Sequence, residues 1–127
     1  GGMKIYLYLF FILKKIKGKS IDEIRELSMK QKMCPPKMKR FIKAYNALNK
    51  LSKNKVMDKN FKLRCLNKST ALFYISRKCG IPVTLKIGMH HYGRFLSGHA
   101  WIEINGKPVE ETLNVNEYKV IFSMVNV

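Results

Sequence analysis

Gly80 and Pro82 fix where this chain must stop being helical. They follow a stretch from Cys65 to Cys79 whose polar residues Asn67, Thr70, Tyr74, Arg77 and Lys78 fall on one narrow stripe at helical spacing. Glycine suits the left-handed position just past a helix end, and proline prevents the helix from resuming. The spacing predicts a mostly buried central helix, with Leu66, Ala71, Leu72, Phe73 and Ile75 turned inward. Immediately beyond, Val83-Thr84-Leu85-Lys86-Ile87-Gly88 alternates with the period of a strand. Helices before this junction and antiparallel strands after it make an α+β domain.

The same reading extends in both directions. Upstream, Ile5 to Leu13 is an apolar run bounded by Lys4 and Lys14-Lys15. At nine residues it is too short to cross a hydrocarbon core, which takes about 20. A buried or interfacial N-terminal helix is expected, and its basic flank leaves room for peripheral membrane contact. Ser20 and Glu23 form a capping-box pattern that opens a helix reaching about Met33. Pro35-Pro36 ends it. Phe41, Ala44, Tyr45, Leu48 and Leu51 then recur at spacings of three and four, and residues 52–62 read as a polar connection. Downstream, Met89 to Gly98 reads as a loop, His99 to Ile104 as a second strand and Lys107 to Thr112 as a third across an Asn105-Gly106 turn. Tyr118 to Phe122 adds a fourth. We divide a single domain, residues 1–127, into a helical part over 3–63 and a Cys-bearing helix plus sheet over 64–127. Gly1-Gly2 ahead of Met3 has the look of a tag remnant and is set aside.

Charge is plentiful and uneven. The net charge is +17; residues 1–64 carry 18 Lys and Arg against 4 Asp and Glu, and residues 65–127 carry 7 against 4. Such a field attracts nucleic acid, anionic membrane or acidic peptide, although lysines also simply solvate helix surfaces. Aromatic and basic residues do not interleave as in a nucleic-acid groove, so no nucleic-acid partner is expected. Three cysteines without C-x-x-C spacing, and no secretory cleavage site after the apolar run, indicate free thiols in a reducing cytoplasm.

Cys65 carries the chemistry in this reading. A thiol at a helix start, beside Arg64, sits where the macrodipole and a cation both favour the thiolate. Cys79, at the opposite end of the same helix, reads as core packing. Cys34, before Pro35 and among basic residues, is the rival nucleophile. Downstream, alternation puts His99, Trp101 and Glu103 on one face of a strand. His99 is then a candidate general base, with a carboxylate to orient it. The turn decides which one. A two-residue Asn105-Gly106 turn pairs Ile104 with Lys107 and brings Glu110 opposite Trp101; a three-residue turn with a bulge brings Glu111 opposite His99. Sequence alone leaves both open. His90 and His91 add no set of four metal ligands, so neither metal nor cofactor is expected. The backbone N–H of Cys65 is the natural oxyanion donor.

Three segments resemble a known family. Cys65-Leu66-Asn67-Lys68-Ser69, Cys79-Gly80-Ile81-Pro82-Val83-Thr84-Leu85-Lys86-Ile87-Gly88 and His99-Ala100-Trp101-Ile102-Glu103 are similar to the lasso-peptide leader peptidases. These are B-type maturation proteases of the transglutaminase-like, papain-related superfamily. The family patterns are C-L-x-R-S, G-I-P-x-x-L-x-I-G and H-A-W-V-E-V. Lys68 stands where the family has arginine. The resemblance implies a transglutaminase-like fold, Cys65 as nucleophile and His99 as base. It puts the third member at Glu111, in place of the family's aspartate, and thereby favours the three-residue turn. It also implies a cytoplasmic cysteine protease that removes the leader from a lasso precursor. The partners implied are a separate RiPP recognition element protein that delivers the leader and an ATP-dependent cyclase that acts next. Two other readings compete: a different acyl transferase of the same superfamily, and a non-catalytic basic module for peptide or nucleic acid.

Overall fold

The computed structural model describes residues 2–110 and 114–127, with Tyr92 described by its backbone alone. Among the described residues five helices precede the sheet: α1 (Gly2–Ile16), α2 (Ile21–Lys30), α3 (Met38–Ser52), α4 (Lys55–Phe61) and α5 (Cys65–Lys78). The strands are β1 (Thr84–Tyr92), β2 (Phe95–Ile104), β3 (Lys107–Pro108) and β4 (Lys119–Val125), with a 3₁₀ turn over Val115–Glu117. The described strands form one antiparallel sheet in the order β3-β2-β1-β4. The fold is α+β, as the Gly80–Pro82 punctuation requires.

Local chemistry explains most boundaries. The Ser20 hydroxyl accepts from the Glu23 N–H, and the Glu23 carboxylate accepts in return from the Ser20 N–H, so the capping box of α2 is complete. α2 closes at Lys30, short of Met33. Gly80 takes φ +70, and a Cβ there would lie 1.9 Å from the Cys34 carbonyl oxygen. Only glycine permits both that backbone and that approach. The approach is held from the other side by Lys37 N–H donating to Cys79 O at 2.8 Å.

α5 is the central element, covered by α1, α2 and α3 on one side and by β1 and β2 on the other. Leu9, Leu13, Phe41, Leu48, Phe73, Ile75, Leu85, Ile102 and Met124 meet around it in the core. The expected polar stripe is only partly wet, because α5 lies between two layers. Thr70 and Tyr74 are buried, whereas Leu66, expected inside, is exposed at the helix start. Thr70 satisfies its hydroxyl on the Asn67 carbonyl at 3.1 Å, and Ser76 does the same on Phe73 at 2.7 Å. The Tyr74 ring lies beneath Lys15, with Nζ 5.6 Å from the centroid.

Three other expectations are corrected. Residues 52–62 are not all connection: Asn54 Oδ1 accepts from Val56 and Met57 N–H and so caps α4. Met89 to Gly98 is not a loop. β1 and β2 continue past the core as a ladder to Tyr92 and Phe95, turning at Gly93 with φ +58. The third strand is two residues long rather than reaching Thr112; Glu111 and Thr112 lie outside the described residues.

The last strand is tied to α5 by a side chain that carries no local sequence signal. Asn126 is fully buried. Its Nδ2 donates to Ser76 Oγ and Ile81 O, and its Oδ1 accepts from Val83 N–H. Arg77 Nη1 donates to the Asn126 carbonyl at 2.8 Å, while its Nε donates to the Gln31 carbonyl at 2.9 Å. One guanidinium thus joins the α2 end to the C-terminal segment.

Candidate active site

Cys65 is the first residue of α5, half-buried, and its approach is clamped. Lys62 ends α4 in the left-handed conformation at φ +49. Asn67 Nδ2 then reaches back and donates to the carbonyls of Phe61 at 3.0 Å and Lys62 at 2.8 Å. The helix rises from Arg64, whose backbone is extended and whose side chain makes no capping bond. Its first backbone bond runs from Lys68 N–H to Arg64 O at 2.9 Å. The amides of the first turn therefore lack a side-chain acceptor at the residue bearing the thiol, the arrangement in which helix N-termini stabilise negative charge.

His99 comes from β2, opposite Gly88 of β1. A Cβ at Gly88 would meet Tyr118 Cβ at 2.8 Å and the Trp101 ring at 3.0 Å. The missing side chain thus makes the space in which these aromatics gather. The His99 ring lies 6.2 Å from Trp101 at an interplanar angle of 19° and 5.6 Å from Tyr118. Trp101 is held in turn: Nε1 donates to Glu103 Oε2 at 2.8 Å, and Glu103 Oε1 pairs with Lys86 Nζ at 3.0 Å. The shared face of His99, Trp101 and Glu103 follows the strand alternation read from the sequence.

The hairpin after β2 settles its own register. Ile104 pairs with Lys107 and Glu103 with Pro108, and Val109 N–H donates to Ile102 O at 2.9 Å. Asn105 and Gly106 take φ +53 and +76, as a two-residue type I′ turn demands. The three-residue turn favoured by the family resemblance is therefore not adopted. Asn-Gly, the dipeptide best suited to positive φ at both central positions, wins over the bulge. Glu110 Oε2 consequently stands 3.7 Å from His99 Nε2. That is close enough for charge to act and too long for a hydrogen bond. The Nε2 atom is buried, with no hydrogen-bond partner among the described residues. Glu111, the third member implied by the resemblance, lies outside the described residues.

Cys65, His99, Trp101 and Glu110 all line one cleft of about 350 Å³, walled on the far side by Tyr45 and Asn49 of α3. Lys68 enters the same wall, its Nζ donating to Asn49 Oδ1 at 3.3 Å. A thiol, an imidazole and a carboxylate around one cavity are the groups that acyl transfer calls for.

The other two thiols are elsewhere. Cys79 is buried at the far end of α5, and burial pushes its thiol up, against the opposing pull of Arg40 and Lys37. Cys34 adjoins Gly80 at that same end. Across the 14 residues of α5 this is about 20 Å from Cys65. His90 sets Nδ1 against the Glu117 carbonyl, and its ring centroid lies 5.8 Å from that of Tyr118. Among the described residues no group of three or more His, Cys, Asp or Glu side chains could hold a metal ion.

Comparison with known proteins gives one finding. The model of the transglutaminase-like superfamily matches residues 18–123, most of the chain. No curated protein and no solved structure matches the chain.

Proposed function

Because the chain belongs to the transglutaminase-like superfamily, whose members are typically cysteine peptidases or acyl transferases, we propose that it is a cysteine peptidase working through Cys65, His99 and Glu110. The observation that carries this reading is the meeting of Cys65, His99 and Glu110 at one cleft. Glu110 takes the orienting role because its carboxylate faces His99 Nε2. His99 accepts the Cys65 proton, and the thiolate attacks the scissile carbonyl. Charge on the carbonyl oxygen is met by the backbone N–H of Cys65 at the uncapped helix start. His99 then protonates the leaving amine, and water releases the acyl group.

The substrate we propose is the leader–core junction of a lasso-peptide precursor, presented by a RiPP recognition element protein ahead of the cyclase. Support comes from the three segments around Cys65, Gly80–Gly88 and His99–Glu103 that resemble the leader peptidases. Mass spectrometry of a precursor incubated with the protein and the recognition protein tests the proposal. Scission at the junction, abolished by Cys65→Ala, is expected. Deamidation or crosslinking with an uncut backbone would assign the chain to the acyl-transferase branch instead. Scission that survives Cys65→Ala would remove Cys65 from the chemistry.

A further inference from the structure

α1 buries one face and leaves another bare. Leu9, Ile12, Leu13 and Ile16 lie in the core, whereas Met3, Leu7, Phe10 and Phe11 are 73, 53, 41 and 68% exposed. At helical spacing these four fall within one arc of about 100°. Phe10 rests edge-on against Phe61 of α4, and the stripe extends past that contact. The helix contains no acidic residue, and Lys4, Lys14 and Lys15 are exposed along the same side.

Beside the stripe lies a cavity of about 380 Å³ lined by Lys4 and Tyr8 of α1, Arg40 and Lys43 of α3, and Lys78 of α5. The Lys78 ammonium sits over the Tyr8 ring, 5.6 Å from its centroid. None of these four cations has an ion-pair partner among the described residues. Cations gathered around one cavity repel each other, and an anion seated between them relieves the repulsion. The apolar stripe and the cationic cavity are neighbours on one helix. Together they fit a ligand with a phosphate head and an apolar body.

We propose that α1 docks on an anionic phospholipid surface, with Leu7, Phe10 and Phe11 entering the acyl boundary and a lipid phosphate seated among Lys4, Arg40, Lys43 and Lys78. The stripe is the convex face of a single helix rather than a groove, which suits a bilayer better than a folded protein partner. No helix among the described residues is long and apolar enough to cross a membrane, so α1 lies in the interface plane. The cavity is at the Cys79 end of α5, about 20 Å from Cys65 at the other end of its 14 residues. The proposal stands independently of the peptidase reading.

Sedimentation with sucrose-loaded vesicles tests it, using phosphatidylcholine alone and phosphatidylcholine mixed with phosphatidylglycerol. The protein pellets with the mixed vesicles only, and less as NaCl is raised. Removing two lysines in Lys4→Gln/Lys43→Gln weakens partition about 25-fold, about fivefold for each charge. Leu7→Ser/Phe11→Ser weakens it at least about tenfold. Both pairs are at exposed positions, and an unchanged near-ultraviolet spectrum from Trp101 checks their folding. Cys65→Ala binds vesicles like the unaltered chain, which separates this claim from the catalytic one. Absence of pelleting, or equal pelleting with neutral vesicles, overturns the proposal. So does saturable binding of inorganic phosphate without pelleting, which would mean a free-anion site. A dimer in sedimentation velocity that Phe11→Ser disperses, again without pelleting, would mean that a second copy covers the stripe.

Discussion

Replacing Glu110 by glutamine keeps the shape of the site and removes one charge, 3.7 Å from His99 Nε2. At that separation a full ion pair is worth between about 1 and 4.5 kcal/mol as the effective dielectric falls from that of water to about 20. The Glu110 side chain is 52% exposed and that of His99 23%, so solvent screening holds the value near the lower end, about 1–2 kcal/mol. The interaction exists only while the imidazole is protonated, that is, once it has taken the thiol proton. The loss therefore falls on the transition state, and kcat/KM drops about 5- to 30-fold. Steady-state cleavage of the precursor in the presence of the recognition protein measures it, with Glu111→Gln as the companion variant. The two-residue turn requires Glu110→Gln to be the more damaging of the two. Glu110→Gln within about twofold of the unaltered enzyme, alongside a larger loss in Glu111→Gln, would refute the assignment and the register behind it.

Three further outcomes follow from the fold. Asn126→Leu strips the partners from Val83 N–H and Ile81 O in a buried setting; it should cost about 3 kcal/mol and lower the thermal midpoint by about 10 °C, read by circular dichroism. Gly80→Ala forces a Cβ to within 1.9 Å of the Cys34 carbonyl oxygen at positive φ, so denaturant titration should show a loss above about 2 kcal/mol; a neutral result would mean the Cys34–Pro35 contact does not form. Burial, reinforced by nearby Cys79 and Tyr74, pushes the Tyr8 hydroxyl from 10.0 up to about 12. A raised value means the stabilising contribution is complete below about pH 10 and disappears as pH climbs through about 12, so Tyr8→Phe should lose less stability than the unaltered chain across that window.

Much of this architecture is legible in residue order. The Ser20–Glu23 box, the Gly80–Pro82 stop and the alternation at His99–Glu103 are local signals, and each appears in the structure where local chemistry puts it. Failures arise where tertiary contacts decide. Thr70 and Tyr74 are polar by type yet buried, because α5 is covered on both sides and their groups find partners there. The long β1–β2 ladder through Met89 to Gly98 is held by backbone pairing that outlasts the hydrophobic pattern. Asn126 gave no signal, since nothing in a C-terminal asparagine reveals that Ser76, Ile81 and Val83 converge on it. For the site, the helix start and strand face were readable from sequence. The register was not, although Asn105-Gly106 favours it locally: the family spacing points to Glu111, which lies outside the described residues, while the turn adopted by those two residues sets Glu110 3.7 Å from His99.

Trapping the acyl-enzyme tests the central claim most directly. Precursor, recognition protein and this protein are mixed, quenched in acid within the first turnovers, digested, and the thioester is located by tandem mass spectrometry. The account predicts the leader joined through its C-terminal carbonyl to Cys65, with the adduct absent in His99→Ala. An adduct on Cys34, or junction cleavage with Cys65 never acylated, would contradict it.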